Sequence, residues 1–313
     1  MSVFCKICNG YDLKEKWPTV YNKNIKLFYC NDCNHGFLNP YFSKDELNDF
    51  YKNDYRKIFV FNIPYKKTVK SVKQMMEDTG QLNESTLRAN MIIQKDDNKL
   101  NVLDIGSGTG MFLNCCYNIN QNLKLYGIEP DDDHKYLSSN SDKFLIFNNL
   151  DEVKKLNVIF DKVTIFHTFE HIENLADFLN NLKQIINEKT EIYIEVPNGE
   201  YNWVKKSFVH LAHPQIFSKL SITKVLNLNN YKILSYDRYD ERTDYLILKV
   251  KFENKKQDQY LKLKNNKLLE SIIDNAKWGI IDAFFKFIKD KSSLVIPAKY
   301  LGVLSRLKYK YKR

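Results

Sequence analysis

Three groups of residues in this chain of 313 have the types and spacing to do chemistry. The first is a glycine turn. The run Val102-Leu103-Asp104-Ile105-Gly106-Ser107-Gly108-Thr109-Gly110 sets three glycines at alternate positions behind a short apolar stretch. Glycine tolerates positive φ and carries no Cβ, so such a turn lets the main chain close on a nucleotide-like ligand. About twenty residues on, a second apolar stretch ends in Glu129, placed to accept hydrogen bonds from ribose hydroxyls. The second group is Cys5-x-x-Cys8 with Cys30-x-x-Cys33, four thiols whose spacing suits a tetrahedral zinc ion. The third is His167, Glu170 and His171. Residues three and four apart share a helical face, so these side chains can converge. Imidazole titrates near neutral pH, which suits it to proton transfer.

The elements that must position these groups alternate in type. Residues 102–105, 124–128, 143–147, 160–166 and 191–196 read as strands. Helices are expected after Gly110, from His171 to about residue 186, and over 218–227. Residues 231–236 and 245–252 read as a closing antiparallel pair. This alternation predicts an α/β, doubly wound sheet with its ligand loops at the C-terminal edge of the strands. Residues 1–40 are too short and polar to fold on a core of their own, so metal would supply their stability. A disulfide reading does not suit a reducing cytoplasm. A redox pair is disfavoured because neither C-x-x-C opens a helix after a strand. His35 reads as a neighbour of the four sulfurs, and Cys115 and Cys116 as small core residues. Ser43 and Glu46 have the spacing of a capping box, opening a mostly helical, polar stretch over residues 41–98.

The order V-L-D-I-G-S-G-T-G, G-I-E-P, then F-D-K-V-T-I-F-H-T-F-E-H-I resembles the class I S-adenosylmethionine-dependent methyltransferases over residues 100–252. The four cysteines, an N-P and a D-E-L-x-x-F-Y helix resemble the zinc-bearing N-terminus of one branch, which acts on sugars and small molecules. The resemblance implies a zinc module over 1–40 and a helical lid or linker over 41–98, with Tyr51, Tyr55 and Arg56 near the cofactor. It implies a Rossmann-like, seven-stranded methyltransferase sheet over 99–254 and a C-terminal helical extension over 255–313. Asp104, Gly106, Ser107, Gly108, Gly110, Phe112, Glu129 and Pro130 would then line the cofactor site. Asn149 would lie by the adenine and His167 by the methyl group. His167 becomes the leading base, with Glu170 and His171 next. His210 and His213, in F-V-H-L-A-H-P-Q-I-F-S, match a histidine-then-F-S pattern of related enzymes, which makes His213 either a residue facing the acceptor or a structural histidine. Some small-molecule O-methyltransferases carry E-x-x-E-H here and bind a divalent metal. This chain has His167 in place of the first acid, which leaves two imidazoles and a carboxylate.

The net charge is +10, and residues 249–313 hold 17 Lys and Arg against 6 Asp and Glu, or +11. Any anionic partner is therefore a matter for the tail. The tail reads as a helical subdomain on the core or on a second subunit, an amphipathic surface on an anionic membrane, or a holder of polyanionic substrate. Nucleic acid is disfavoured because no nucleic-acid module accompanies the charge. No apolar run approaches the roughly 18 residues of a membrane span, and the first residues lack a signal core. The expected location is cytoplasmic, with peripheral contact at the inner face of the membrane. The expected activity is methyl transfer to oxygen or carbon of a sugar, sugar nucleotide or surface-saccharide intermediate. The alternatives are a lipid-linked or quinone-like acceptor at the membrane, and a non-catalytic protein that binds partners through its zinc module.

Overall fold

The computed structural model describes residues 3–20, 25–43, 45–47, 81–131, 142–200, 212–237 and 245–254. The expectations for Tyr51, Tyr55, Arg56, His210 and the extension 255–313 lie outside these residues. The chain opens with β1 (Leu13–Val20), β2 (Ile25–Cys30) and β3 (His35–Asn39), then α1 (Gln81–Ile92). It continues through β4 (Asn101–Ile105), α2 (Met111–Ile119), β5 (Lys124–Ile128), β6 (Phe144–Phe147), α3 (Leu150–Lys154) and β7 (Lys162–Phe166). A single 3-10 turn (Phe169–His171) leads to α4 (Leu175–Leu182), β8 (Glu191–Pro197), β9 (Gln215–Ile216), α5 (Lys219–Leu228), β10 (Tyr231–Asp237) and β11 (Tyr245–Phe252).

Seven strands form one sheet in the order β10-β11-β8-β7-β4-β5-β6. The pairs β4–β5, β4–β7, β5–β6 and β7–β8 are parallel, and β11 pairs antiparallel with β8 and β10. All five residues of β7 are buried. A strand covered on both faces reads as a continuous apolar run, which is what V-T-I-F looks like. The sheet grows one way from β4 through β5 and β6, and the other way through β7 and β8. The crevice between the C-terminal ends of β4 and β7 is thus the switch point at which such sheets bind ligands. This is the Rossmann-like methyltransferase sheet that the motifs implied.

Local chemistry sets the helix starts. Asn149 caps α3, and Ser218 and Ser221 form a reciprocal capping box on α5. The helix expected from His171 to about residue 186 is instead divided. Asn174 accepts from the Asp177 N–H and starts α4 afresh, which leaves Phe169–His171 as a separate turn. Ser43 and Glu46 do cap one another, at 2.9 Å from the Ser43 N–H and 3.3 Å from the Glu46 N–H.

A second, antiparallel sheet runs β1-β2-β3-β9, and its last strand comes from far along the chain: Phe37 pairs with Gln215 and Gly36 with Ile216. Cys5, Ile7, Phe28 and Phe37 belong to one apolar cluster with Phe169, Ile194 and Phe217. The N-terminal segment therefore shares the core of the large sheet. Cys115 and Cys116 are buried beside Ala89, Ile92 and Leu113, as small core residues should be. Among the described residues, no helix is long and apolar enough to cross a membrane.

Candidate active site

The hollow at the switch point is built by backbone. Gly106, Gly108 and Gly110 take φ of 81°, 52° and 74°. The N–H groups of Gly106 and Ser107 both donate to the Ile128 carbonyl, at 2.8 and 3.0 Å, which pins the turn to the end of β5. The glycines serve different ends. A Cβ on Gly106 would collide with Thr168 Oγ1 and Cβ, whereas a Cβ on Gly108 would meet nothing within 4 Å. Gly106 lets the loop after β7 pack down, and Gly108 leaves room for a ligand. Gly110 starts α2 without a side-chain cap, so the partial positive charge of that helix end faces the turn.

Glu129 closes the other wall. One carboxylate oxygen accepts from the Gly108 N–H at 2.9 Å and the other from the Asp131 N–H at 2.8 Å. Asp104 lies beneath the turn and accepts from Thr164 Oγ1 at 2.7 Å. Burial pushes its carboxyl up to about 7, against the opposing pull of the Thr164 hydrogen bond. The Ser107 hydroxyl is buried with no hydrogen-bond partner among the described residues. A clear approach over Gly108, an unsatisfied Ser107 hydroxyl and a carboxylate at the end of β5 fit S-adenosylmethionine. The Phe112 ring packs edge-on against Phe166 in the core, 5.2 Å between centroids. Asn149 spends its side-chain oxygen on the Glu152 N–H, and Pro130 is exposed.

The loop after β7 lies against Gly106, and here the structure differs from expectation. His167, Glu170 and His171 do not converge on a helical face. His167 precedes the 3-10 turn, at φ 48°. Its Nε2 lies 2.8 Å from Glu195 Oε1, and its Nδ1 lies 3.5 Å from Glu170 Oε1. Tyr245 sits edge-on to the ring at 4.7 Å. Arg88 grips the same fully buried Glu195 with both prongs, Nε at 2.9 Å and Nη2 at 2.6 Å. Burial opposes charge on His167, but the hydrogen bonds to Glu170 and Glu195 outweigh it and raise the imidazole to about 9. Burial likewise opposes charge on Glu195, and its bonds to His167 and Arg88 bring it down to about 2. An imidazolium has no lone pair to accept a proton. The two carboxylates favour the charged imidazole, and His167 ties the loop after β7 to Glu195 of β8.

A different trio meets instead. Ligand atoms of Glu170, His171 and His213 all lie within 4.8 Å of one another. The two imidazole rings stack edge-on, 4.6 Å apart. Burial lowers the His171 imidazole, with only partial relief from the Glu170 charge, so this ring is neutral at neutral pH. His213 is delivered by β9. The Gln215 side chain donates to the Ile172 and Glu173 carbonyls at 3.0 Å each and is paired with His35 at 2.8 Å.

Sequence reasoning missed Glu195, Arg88, Thr164 and Thr168. Glu195 had a signal, being an acid inside the otherwise apolar I-Y-I-E-V. Arg88 had none, because an arginine on a polar helix is ordinary.

At the N-terminus, four free cysteines gather, with Sγ separations of 3.6 Å for Cys5–Cys33 and 3.5 Å for Cys8–Cys30. Zinc–sulfur bonds of about 2.3 Å set tetrahedral sulfurs roughly 3.8 Å apart, so the quartet suits zinc. His35 is buried, lowered to about 4 by that burial, and engaged with Gln215. It is a neighbour of the sulfurs, as expected.

A family model described as a methyltransferase domain matches residues 65–236, more than half of the chain. No curated protein matches the sequence. Among solved structures, the plantazolicin methyltransferase BpumL in complex with SAH is 15% identical with a TM-score of 0.46, over 67% of this chain and 99% of its own. The mitomycin 7-O-methyltransferase MmcR is 10% identical with a TM-score of 0.45, over 60% of this chain and 59% of its own. An S-adenosylmethionine-dependent methyltransferase from Clostridium acetobutylicum is 12% identical with a TM-score of 0.40, over 66% of this chain and 99% of its own.

Proposed function

Starting from the premise that the chain belongs to the methyltransferase-domain family and is an S-adenosylmethionine-dependent methyltransferase, we propose that it methylates an oxygen or carbon of a sugar, sugar nucleotide or surface-saccharide intermediate. The observation that carries the cofactor assignment is the glycine turn, whose middle glycine faces open space while its N–H is fixed by Glu129. The saccharide assignment rests on the N-terminal pattern of four cysteines, N-P and D-E-L-x-x-F-Y. In this reading Cys5, Cys8, Cys30 and Cys33 hold a structural zinc ion.

The sulfonium of the bound cofactor supplies the methyl group. The protein's task is to align the acceptor with it and exclude water. Gly106, Ser107, Gly108, Gly110 and Glu129 seat the nucleoside and amino-acid ends, over Asp104. Glu170, His171 and His213 form the acceptor side. His171 and His213, rather than the imidazolium of His167, deal with a proton on an oxygen or acidic carbon. His167 keeps the loop after β7 seated by bridging Glu195 and Glu170.

Isothermal titration with S-adenosylhomocysteine tests the cofactor assignment. Saturable one-to-one binding that Gly108→Val abolishes is expected, and a native protein indifferent to the ligand overturns it. Incubation with sugar nucleotides and labelled cofactor tests the acceptor class. Label transferred only to lipid-linked or quinone-like acceptors overturns the saccharide assignment.

A further inference from the structure

We propose that Gln215 and His35 are positioning residues for methyl transfer, locking the strand that follows His213 to the turn that carries His171 and so setting the spacing of the two imidazoles. The lock is a buried amide. The Gln215 side chain donates to the carbonyls of Ile172 and Glu173 at 3.0 Å each, just past the 3-10 turn. Its oxygen is left for His35 Nε2, at 2.8 Å. An amide has two N–H donors on nitrogen and acceptors only on oxygen, and backbone carbonyls only accept. The NH₂ end must therefore face the turn and the oxygen must face the ring, so His35 carries its proton on Nε2.

Each partner is held in turn. His35 is buried in β3, its ring stacked on Phe37 with centroids 5.9 Å apart and tilted against Phe217 at 5.5 Å. Phe37 lies opposite Gln215 in the N-terminal sheet, and the Leu38 N–H donates to the Pro214 carbonyl at 3.1 Å. Backbone pairing thus fixes β9 on β3, and the amide fixes the 3-10 turn on β9. The turn needs this, because three residues have little helical stability of their own. One side chain joins a residue 180 positions away to carbonyls about 40 positions away.

The imidazoles sit where these ties converge. His171 closes the 3-10 turn, and its ring meets that of His213 at 4.6 Å. His171 also hydrogen-bonds the Ala212 backbone. Ties to Ala212 before His213 and to Gln215 after it bracket that residue. Groups that handle a proton during transfer must be placed to within a fraction of an ångström, since a misplacement of about 1 Å can cost about 100-fold in rate. The N-terminal sheet thereby helps to shape the acceptor side through Gln215. The role in transfer rests on the acceptor-side reading of His171 and His213, whereas the lock itself does not.

The test uses the full, zinc-loaded chain with its six histidines carbon-13 labelled for NMR. Gln215→Glu keeps the shape but turns an acceptor oxygen on the two carbonyls. His35→Phe keeps the ring stack but removes the donor. Both should keep their affinity for S-adenosylhomocysteine, which shows that they are folded, yet shift the ring signals of His171 and His213. His35→Gln, which restores an N–H donor, should return those signals towards the native positions. On a sugar nucleotide that the native chain labels, kcat of both lock variants should fall about 10- to 100-fold, with KM moving less. If Gln215→Glu loses the affinity, His35→Phe decides in its place. Native ring signals in a folded lock variant overturn the lock, and shifted signals with native kcat overturn its role in transfer. Failure of the native chain to label any sugar nucleotide, or to bind S-adenosylhomocysteine, counts against the proposed function instead. The ring signals, with a cooperative melt as the sign of folding, then decide the lock alone.

Discussion

Two glycines a residue apart answer to different constraints, and substitution separates them. Gly108→Ala puts a Cβ at φ 52° with nothing around it. The fold should lose only about 1–2 kcal/mol, the cost of a left-handed residue, while affinity for S-adenosylhomocysteine falls. Gly106→Ala meets Thr168 as well, so its melting temperature should drop further than that of Gly108→Ala. Equal melting temperatures would contradict the packing role of Gly106. Asp104 makes a prediction in pH. Its folded value of about 7 lies above the ordinary 3.8, so the fold favours the protonated acid. The stability it gives is complete below 3.8 and is lost as pH rises towards 7. Asp104→Asn fixes the neutral form. Its stability relative to the native chain should therefore rise between pH 4 and pH 7, by up to roughly 4 kcal/mol at 1.36 kcal/mol per pH unit. Denaturant unfolding at several pH values reads this directly, and a flat difference would contradict it.

At the scale of elements, α1 is held to the sheet by apolar packing, by Lys162 on the Ile92 carbonyl and by a buried fork, Arg88 on Glu195. Removing one partner of a buried ion pair is costly, and His167 remains to offset part of the loss, so Arg88→Ala should cost about 3 kcal/mol in urea unfolding, the low end for a buried pair. Arg88→Lys keeps the charge but not the two-pronged geometry and should fall between. A loss near zero in both would show that His167 alone satisfies Glu195. The same contact shows what the sequence could and could not tell. The strands of the large sheet, the glycine turn, the closing antiparallel pair and the cysteine quartet were legible because each is a local pattern: apolar runs, glycine spacing, C-x-x-C; the N-terminal sheet, which borrows Gln215–Ile216, was not. The partnership of Glu195 with Arg88 and His167 was not, because it joins three elements far apart in sequence. The assumed helical face of His167, Glu170 and His171 failed for a local reason. Asn174 caps a new helix, and the preceding residues settle into a 3-10 turn that points His167 at Glu195.

For the whole molecule, the shared core decides how metal loss is felt. Phe28 and Phe37 stack on one another and belong to the cluster of Phe169 and Phe217. Stripping metal from the four cysteines with a chelator should therefore lower the midpoint of one cooperative thermal transition. A separate early transition would show that residues 1–40 melt by themselves. The strand at Gln215–Ile216 carries a consequence beyond stability. It is the outermost rung of the N-terminal sheet and, two residues earlier, it presents His213. On the proposed reading, in which His213 faces the acceptor, grafting residues 1–40 from another such protein would reset the seat of that side chain while leaving the glycine turn and Glu129 untouched. Acceptor preference should then travel with the N-terminal segment.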